Sequence, residues 1–587
     1  MARQFSRRVV VRGLALTAGA GAIGVGAARA FPFDVDPAHP LIFSSPPLEP
    51  FRQQLPILPT LGGSSIEVQA RTTLHRFHPD LAVSSALAYG GVDYLGPTVE
   101  AEAGRQTTIA YRNDIAGHPL AADFDTSLHG VADHDRTDVP TSMHLHGGST
   151  PPESDGHPEL TQRPGQELVH HFPNRQEACG LWYHDHAMGI TRLNLYAGLA
   201  GMYLLRDQYD TGGANNPLGL PSGEFEITLV LQDKRFTESG RQSVRTYVLA
   251  PQGTWDVATP GDVGVVNGAV WPELEVARGL YRLRLVNAAS FTVWNLHFGN
   301  RMRFWVIGME GGLLDAPVPT DHVRLSPGER ADILVDFGGL APGDSVELRN
   351  DEPVALGVAQ RGVQVMPLFC RFVVGGARGF TGPVPETLRG GSRRPALLSP
   401  VPKPQRVRNV SVMQLSNPLA SPSITMSLNN LHYTTTDIET PRQGTVEQWN
   451  IVNITSEPHP IHLHLVTFRV LGRQALDTAR LTGAHPIPPV GSRWTPDPEP
   501  FVLGPALAPW PWESGFKDTV IAEANSVTRI VVRFPTADEL GFDPDATFGA
   551  GMSHHGGPSE PLQGYVWHCH MLDHEDHDMM LKYRLLQ

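Results

Sequence analysis

Four His-x-His pairs constrain this chain more than any other feature of its sequence. Side chains at positions i and i+2 of a strand point to the same face, so each pair on a strand would aim two imidazoles at one place. With 26 histidines in 587 residues, chance alone predicts about one such pair. The set predicts a metal cluster with eight imidazole ligands, from the pairs His144/His146, His184/His186, His462/His464 and His568/His570.

The C-terminal segment predicts a second, separate metal site. In the run His-Cys-His at 568–570, Cys569 points away from the face that its two neighbours use, so it serves a different site. His459, His574 and Met579 add two imidazoles and a thioether, which with one thiolate make the ligand set of blue copper. Zinc is the rival metal, but zinc sites favour more thiolates or carboxylates and have little use for a thioether.

The fold class follows from composition and from a repeated strand pattern. Glycine (59) and proline (52) are abundant, and long apolar stretches of helical period are scarce, which favours all-β domains. Three stretches of alternating polar and apolar residues end at Asn113, Asn287 and Asn453, roughly 170 residues apart. They predict three antiparallel β-sandwich domains. Two histidine pairs fall in the first domain and two in the third, so the cluster should lie at their interface.

Composition also sets the predicted boundaries. We expect domains at residues 31–207, 208–374 and 406–587, with a Gly/Pro-rich linker at 375–405. Residues 1–30 carry paired arginines, an Ala/Gly-rich apolar run and an Ala-x-Ala end, which predicts export, and the arginine pair resembles the twin-arginine signal. The net charge of −14 without a basic block argues against nucleic acid as a partner, and no later segment is apolar enough to span a bilayer.

The three cysteines cannot form a disulfide framework. If Cys569 is a metal ligand, Cys179 and Cys370 are the one remaining pair, and the sequence leaves open whether they are bonded or are two separate buried thiols. The oligomeric state is equally open.

The metal motifs resemble those of a known family. The two His-x-His pairs of the first domain, HPIHLH (459–464) and HCHMLDHEDHDMM (568–580) look like the four copper-binding motifs of multicopper oxidases, in the same order. The surrounding sequence is similar to the bacterial spore-coat laccase branch, to which phenoxazinone synthase and bacterial bilirubin oxidases are related. The likeness covers nearly all of the chain after the signal and implies three cupredoxin-like Greek-key β-sandwich domains.

The resemblance also implies four copper ions and a role for each ligand. A type 1 copper would be held by His459, Cys569, His574 and axial Met579. A type 2 copper would be held by His144 and His462. A type 3 pair would be held by His146, His184, His186, His464, His568 and His570. Spacing alone does not separate type 2 from type 3 ligands, and Met571 and Met580 are alternative axial ligands.

The resemblance also implies a mechanism. Electrons would pass from the type 1 site through Cys569 to the adjacent histidines, and four such transfers would reduce dioxygen to two waters. The reduction consumes four protons, and Asp155 and Glu575 match acidic residues that assist proton delivery in this branch. The residues alone also allow Asp155 as a turn residue in Ser-Asp-Gly and Glu575 as a solvated charge in an acidic run, but they favour a functional role for both.

The electron donor is the least determined part of the prediction. The chain has 13 methionines but no Met-rich run, which favours a small aromatic donor (a phenol, an o-aminophenol or a bilirubin-like compound) over Cu(I). An Mn(II) or other metal-ion oxidase is the alternative enzyme. A non-enzymatic copper-binding envelope or coat protein is the alternative class, but it leaves the four histidine pairs unexplained. The proline-rich stretch 485–512 is expected to form a stiff loop, either a wall of the donor pocket or a surface excursion.

Overall fold

The structure is a computed structural model that describes residues 42–587 except 248–251, 356–357, 360–361, 391–394, 417–423 and 552–560. The predicted export signal and the His554-His555 pair, another conceivable metal site, lie outside the described residues. Within the described ranges, no helix combines the length and hydropathy that crossing a bilayer requires. Strands dominate, and they assemble into three successive pairs of sheets, here called the first, second and third sandwich. The predicted all-β class is confirmed.

The first sandwich pairs a sheet of order β1-β4-β9-β8-β6 with one of order β3-β2-β5-β7. Its one α-helix is Thr191–Ala197, and 3-10 turns occupy Ala121–Asp123, Asp133–Arg136 and Pro152–Ser154. Its strands are β1 (Thr60–Gly62), β2 (Ser65–His75), β3 (Ser84–Tyr89), β4 (Thr98–Glu102), β5 (Thr107–Asp114), β6 (Met143–His146), β7 (Glu167–Phe172), β8 (Cys179–Asp185) and β9 (Ala200–Arg206).

The second sandwich pairs the order β13-β12-β10-β15-β20-β17-β18, with β11 beside β10, and the order β14-β22-β21-β16-β19. A 3-10 turn at Gly223–Phe225 precedes it. Its strands are β10 (Glu226–Phe236), β11 (Gln242–Ser243), β12 (Val263–Val266), β13 (Ala269–Val270), β14 (Glu273–Arg278), β15 (Leu280–Asn287), β16 (Trp294–Phe298), β17 (Phe304–Met309), β18 (Gly312–Thr320), β19 (His322–Leu325), β20 (Arg330–Asp336), β21 (Ser345–Asn350) and β22 (Leu368–Arg378).

The third sandwich pairs the orders β24-β23-β25-β30-β27-β28 and β29-β26-β33-β34, with β31 and β32 as a separate hairpin. Its helices are Thr478–Ala484, Ala537–Leu540 and Leu572–Glu575, with 3-10 turns at Glu499–Phe501 and Pro511–Ser514. Its strands are β23 (Arg406–Ser416), β24 (Ile424–Leu428), β25 (Val446–Asn453), β26 (His459–Leu463), β27 (Phe468–Leu476), β28 (Val502–Leu507), β29 (Thr519–Ala522), β30 (Ser526–Arg533), β31 (Thr547–Phe548), β32 (Leu562–Gln563), β33 (Tyr565–Cys569) and β34 (Met580–Tyr583).

The three repeated stretches of the sequence are equivalent strands of the three sandwiches. They form β5, β15 and β25, and each lies parallel to the first long strand of its sandwich, β2, β10 and β23 respectively. Each carries, at or next to its last residue, a buried asparagine whose side-chain amide donates to two backbone carbonyls or more, at Asn113, Asn287 and Asn453. Each asparagine oxygen also accepts the backbone N–H two residues later. The asparagine of each repeat therefore supplies hydrogen-bond partners to backbone groups where the strand ends.

The predicted domain boundaries remain predictions, but one differs from the strand pattern. β22 continues to Arg378, beyond the expected start of the linker at residue 375. After it, Leu388 is fully buried in the core of the second sandwich, so this part of the Gly/Pro-rich stretch packs as an extension of that sandwich. Composition indicates the turn-forming glycines and prolines, but it does not indicate that Leu388 between them is buried.

Cys179 and Cys370 are free thiols. Cys179 lies in the core of the first sandwich and Cys370 in that of the second, each among aliphatic and aromatic side chains. Burial raises the pKa of both thiols. Of the two readings left open by the sequence, the structure has separate buried thiols.

Candidate metal centres

Eight histidine side chains meet between the first and third sandwiches. β6 runs antiparallel to β8 and places His144 opposite His184, and β26 runs antiparallel to β33 and places His462 opposite His568. Only the first His-x-His pair lies wholly within its strand, because the second histidine of each other pair directly follows the last strand residue. All eight imidazoles are buried. The convergence expected from the sequence is present.

Three of these imidazoles form one group, which we call the first triad. Nδ1 of His146 lies 3.4 Å from Nε2 of His184 and 3.1 Å from Nε2 of His570. Two of the three residues come from the first sandwich and one from the third. Three ring nitrogens this close together fit the coordination of a single transition-metal ion by imidazoles.

A second triad lies beside it, and two imidazoles remain. Nε2 of His568 lies 3.3 Å from Nε2 of His186 and 3.2 Å from Nε2 of His464. The remaining rings, His144 and His462, have their centroids 6.0 Å apart. These contacts group six of the imidazoles into two triads and leave His144 and His462, although His144 also lies within ligand distance of His146 and His184, and of His462 and His464.

The remaining pair gives the clearest evidence that these rings suit a metal ion. Nδ1 of His144 donates to the backbone carbonyl of Asp155 at 2.5 Å, and Nδ1 of His462 donates to that of Asp518 at 2.9 Å. The opposite nitrogen of each ring, Nε2, is buried and has no hydrogen-bond partner among the described residues. Buried polar nitrogens rarely stay unpaired, and a ring fixed through one nitrogen presents the other to a metal.

The chemistry of the donor set also fits a metal. Burial lowers the pKa of His184 to about 3 and that of His186 to about 4, and neighbouring histidines lower both pKa values further. Burial likewise holds the pKa of His144, His462 and His570 well below the usual value. These rings are therefore neutral at physiological pH, the form in which imidazole binds metals.

The second centre lies wholly within the third sandwich. Sγ of Cys569 lies 3.4 Å from Nδ1 of His459 and 3.7 Å from Nδ1 of His574, and the two nitrogens are 3.2 Å apart. The outward nitrogens have neutral partners: Nε2 of His574 contacts the Val257 carbonyl at 3.0 Å, and Nε2 of His459 contacts the Thr455 hydroxyl at 2.9 Å. A thiolate and two imidazoles are thus aimed at one buried point.

The three candidate methionines differ in their surroundings. Met579 is buried in the same apolar cluster as Cys569, and its backbone carbonyl accepts the Cys569 N–H at 3.0 Å. Met580 belongs to a different cluster, with Met188 and Tyr433. Met571 donates its backbone N–H to the Cys569 sulfur at 3.4 Å and borders a cavity next to this centre.

Both predicted carboxylates are buried against the histidine cluster. Oδ2 of Asp155 lies 2.6 Å from Nδ1 of His464, and Oε2 of Glu575 lies 3.0 Å from Nδ1 of His568. Burial raises the pKa of Asp155 to about 8. Burial also favours a raised pKa for Glu575, but its electrostatic interactions with His568 and His186 outweigh burial and lower the pKa to about 2. Asp155 does lie in a turn, at the end of the 3-10 turn Pro152–Ser154, but its side chain is buried, and Glu575 is buried and is not a solvated charge.

Sequence reasoning missed the contribution of the second sandwich to the histidine cluster. Arg330 makes two hydrogen bonds to Asp518, at 2.6 and 2.8 Å, and Asp518 lies 3.1 Å from Nε2 of His146. A Cβ on Gly328, whose φ is +86°, would lie 2.8 Å from the His570 ring. No motif could reveal these residues, because an isolated charge or glycine acquires a role here only through contacts between sandwiches.

The stretch 485–512 is more regular than the predicted loop. It contains the 3-10 turn Glu499–Phe501, and β28 pairs with β27. A cavity of about 210 Å³ adjoins the cysteine centre, and no residue of 485–512 lines it. Trp510 of this stretch comes near the cavity wall, since its ring lies 5.6 Å from the guanidinium of Arg324, which is a residue of that wall.

Comparisons with known proteins agree with this geometry. Three family models, each described as multicopper oxidase, match residues 131–210, 232–344 and 402–542. The laccase of Bacillus subtilis (strain 168) is 35% identical over 563 residues, which cover 91% of this chain and 98% of that protein. Multicopper oxidase LPR1 of Arabidopsis thaliana is 31% identical over 572 residues, 92% of this chain and 93% of that protein. The fold resembles the crystal structure of McoA multicopper oxidase from Aquifex aeolicus, with a TM-score of 0.67, 24% identity and coverage of 91% and 99%.

The chain belongs to the multicopper oxidase family. The predictions of three cupredoxin-like sandwiches and of a laccase-like oxidase are confirmed. The protein is accordingly a copper oxidoreductase that requires dioxygen and a reducing donor.

Proposed function

We propose that the described centres hold four copper ions and that the chain couples the one-electron oxidation of a small aromatic donor to the reduction of dioxygen to two waters. The mononuclear type 1 site is His459, Cys569 and His574 with Met579 as the axial ligand. The two triads hold the type 3 pair, and His144 with His462 holds the type 2 ion. Support comes from the short contacts between ring nitrogens within each triad, and from the unpaired Nε2 atoms of His144 and His462.

One observation carries this proposal: three consecutive residues serve both centres. His568 and His570 belong to the two triads, and Cys569 between them belongs to the mononuclear site. β33 is extended, so neighbouring side chains point to opposite faces. The protein backbone itself joins the site of electron uptake to the site of oxygen reduction.

Copper bound at these sites supplies one-electron oxidation of the donor and four-electron reduction of dioxygen. The protein side chains position the copper ligands and deliver protons to the histidine cluster. Asp155 holds His464 through Nδ1 and receives a hydrogen bond from the Thr150 hydroxyl at 3.0 Å, and Glu575 holds His568. Both carboxylates are placed to accept and return protons beside the cluster, which makes them the proposed catalytic residues.

The preferred donor is a phenol, an o-aminophenol or a bilirubin-like aromatic, and a metal ion such as Mn(II) or Cu(I) is the second candidate. A cavity next to the mononuclear site, with Phe291 and Met366 in its wall, favours an aromatic donor. A copper-binding envelope or coat protein without activity would not need the two buried carboxylates beside the triads.

The test is oxygen uptake by the copper-loaded protein with phenols, o-aminophenols, bilirubin, Mn(II), Fe(II) and Cu(I) as donors. We expect uptake with aromatic donors, loss of uptake after copper removal, and four copper ions per chain by elemental analysis. Copper binding without oxygen uptake for any donor would favour the carrier alternative, and uptake with metal ions alone would favour the metal-ion oxidase.

Export is part of the proposal and rests on the sequence of residues 1–30. The twin-arginine route carries folded proteins, which suits a chain whose metal cluster forms only when two sandwiches meet. N-terminal sequencing of protein recovered outside the cytoplasm should begin near Phe31, and replacement of Arg7 and Arg8 by lysine should retain the protein inside.

A further inference from the structure

A separate cavity of about 390 Å³ lies where the three sandwiches meet. Arg175 of the first sandwich and Gly311 of the second line it, and the third sandwich contributes Arg469 of β27 and Arg533 of β30. Three arginines therefore surround one space in a chain whose net charge is −14. Positive charge concentrated in a cleft of an acidic protein favours the binding of an anion there.

Strand register places two of these arginines on one face of a sheet. β27 and β30 are antiparallel, with Arg469 opposite Val531. Arg533 follows Val531 by two residues, so its side chain leaves the sheet on the same face as that of Arg469. Diagonal neighbours on one face of an antiparallel pair are about 7–8 Å apart. Two guanidinium groups at this separation are close enough to contact one ligand.

The third arginine reaches the same space from the first sandwich. The guanidinium of Arg175 packs against Gly541, which directly follows the helix Ala537–Leu540. Glu539 of this helix also lines the cavity and accepts a hydrogen bond from Arg533 at 2.7 Å. One short helix thus brings an arginine of the first sandwich close to an arginine of the third.

Both carboxylates of the cavity are already paired. Glu539 is bound as just described, and Glu177 accepts two hydrogen bonds from Arg389, at 2.6 and 2.8 Å. Among the residues that the structure describes, no carboxylate oxygen lies within the 4.0 Å of an ion pair from Arg175 or Arg469. The cavity therefore presents two guanidinium groups that have no counter-ion from the protein.

Arg469 shows what the absence of a counter-ion means for a half-buried cation. Within the described part of the chain, its guanidinium donates to one group, the Ser399 carbonyl at 3.3 Å. Burial lowers the pKa of Arg469, and Asp315 only partly offsets this effect. On the same strand, Glu513 outweighs burial and raises the pKa of Arg473. A bound anion would give Arg469 the partner that Arg473 has in Glu513.

We propose that this cavity binds a small molecule through an oxyanion group, a carboxylate or a phosphate, which contacts Arg175 of the first sandwich and Arg469 of the third. Guanidinium groups bind both oxyanions through paired N–H donors. Phe516 and Leu540 supply apolar surface for the rest of the molecule. Because the ligand contacts two sandwiches, it stabilises the docking between them.

The wall of the cavity continues into the histidine cluster. Leu465 lines the cavity and directly follows the ligand His464. Gln176 also lines it and donates at 2.9 Å to the carbonyl of Gly147, which directly follows the ligand His146. An anion in the cavity should therefore slow the loss of copper from the cluster. This effect rests on the proposed function, whereas binding of the anion does not.

The first experiment titrates the copper-loaded protein by calorimetry, at low ionic strength, with inorganic phosphate, acetate and benzoate. We expect one anion to bind per chain and the cation phenyltrimethylammonium not to bind. The electron paramagnetic resonance spectrum of the copper ions should stay unchanged, which distinguishes this cavity from the metals as the binding site. Tighter binding of benzoate than of phosphate would identify an organic acid as the ligand, and the reverse order a phosphoryl group.

Two variants test the arginines. Arg469→Gln and Arg175→Gln should each weaken anion binding by about tenfold, the effect of one lost charge-assisted hydrogen bond. The matched control is Arg378→Gln, which removes the same charge at an exposed residue that does not line the cavity. It should bind the anion as the unaltered protein does.

A third variant changes binding in the opposite direction. Glu539→Gln releases Arg533 from its carboxylate partner, so the anion should bind more tightly, by about threefold. Glutamine can still accept the Thr536 N–H in the capping box that begins the helix. The fold is therefore retained, and a purely structural role of these residues would not produce tighter binding.

The effect on docking is measured by the rate at which a chelator removes copper. Saturating benzoate should slow loss from the histidine cluster by about two- to tenfold, through stabilisation of the docked state, and leave the decay of the blue absorption unchanged. The Arg469→Gln protein should show no slowing at the same benzoate concentration, which controls for binding of benzoate to free copper.

Failure of all three anions to bind, or binding that survives both arginine variants, would overturn the inference. A changed copper spectrum would do the same, because it would show that the anion binds at the metals. These outcomes are separable from the fate of the proposed function. Calorimetry needs no turnover, so a protein that consumes no oxygen would refute the function and leave the anion site open to the same test.

Discussion

The two candidate metal centres of this protein are built in different ways. The cysteine centre takes all its proposed ligands from the third sandwich, and the outward nitrogens of His459 and His574 contact neutral groups. The histidine cluster is shared between two sandwiches, and the carboxylates of Asp155 and Glu575 contact its rings. The difference matches the chemistry, because taking up an electron requires no proton whereas reducing dioxygen to water consumes four.

The centres also differ in what holds them in place. Two ligands of the cysteine centre, His459 and Cys569, lie on the neighbouring strands β26 and β33, and His574 lies on the short helix that follows β33. The histidine cluster exists only where the first and third sandwiches dock. From the second sandwich, Arg330 binds Asp518 beside the cluster, and Gly328 lies next to the His570 ring. A disturbance of docking should therefore damage the cluster and spare the cysteine centre.

The largest effect is expected for Cys569→Ser. The variant should lose the blue absorption and one copper per chain, and donor oxidation should fall by at least about a thousandfold, because the residue both binds metal and joins the centres. Visible spectroscopy and elemental analysis are the measurements. Cys179→Ser, at a buried free thiol outside both centres, is the control. A blue Cys569→Ser protein would refute the assignment.

Gly328→Ala tests whether the second sandwich supports the histidine cluster and not the cysteine centre. The new Cβ would meet the His570 ring at 2.8 Å, so the first triad should lose copper and oxygen uptake should fall about a hundredfold, while the blue absorption remains.

The control for this variant is Gly343→Ala. Its φ of +92° is close to the +86° of Gly328, but no atom lies within 4 Å of its added Cβ. Both variants share the backbone strain, so only the contact with His570 distinguishes them. Equal losses in the two proteins would show that strain, and not the contact, is responsible.

Glu575→Gln separates electron uptake at the cysteine centre from proton delivery at the histidine cluster. Reduction of the mononuclear site by a donor under argon should be unchanged, while turnover with oxygen should slow by about ten- to a hundredfold because proton delivery is impaired. Stopped-flow spectroscopy and the solvent deuterium isotope effect measure the two steps. If both steps slow to the same extent, Glu575 supports the structure and does not deliver protons.

The smallest effect is expected at Thr455, whose hydroxyl contacts Nε2 of His459 at 2.9 Å. Thr455→Val should change kcat/KM for the donor by about threefold through a looser ring position, with the oxygen step unaffected. Thr455→Ser keeps the hydroxyl and should behave as the unaltered protein. An effect of Thr455→Val on the oxygen step would contradict the separation of the two centres.

Much of the fold and of the ligand set could be predicted because both depend on local periodicity. Alternation located β5, β15 and β25, and the two-residue repeat of strands explains why Cys569 faces away from His568 and His570. The predicted end of the second domain at residue 374 remains a prediction, but β22 continues beyond it, and Leu388 in the Gly/Pro-rich stretch packs into the second sandwich. Composition and spacing likewise did not reveal Asp518, which differs from other acidic residues only in its neighbours.

The sequence by itself determined the all-β class, the repeat and the residues that converge, since each follows from spacing along an extended strand. Tertiary structure alone decided which imidazoles share a triad, how Asp155 and Glu575 become buried, and how Arg175 and Arg469 come to line one cavity. Those facts depend on docking between sandwiches, where residues far apart in the chain share one low-dielectric environment and spacing carries no information.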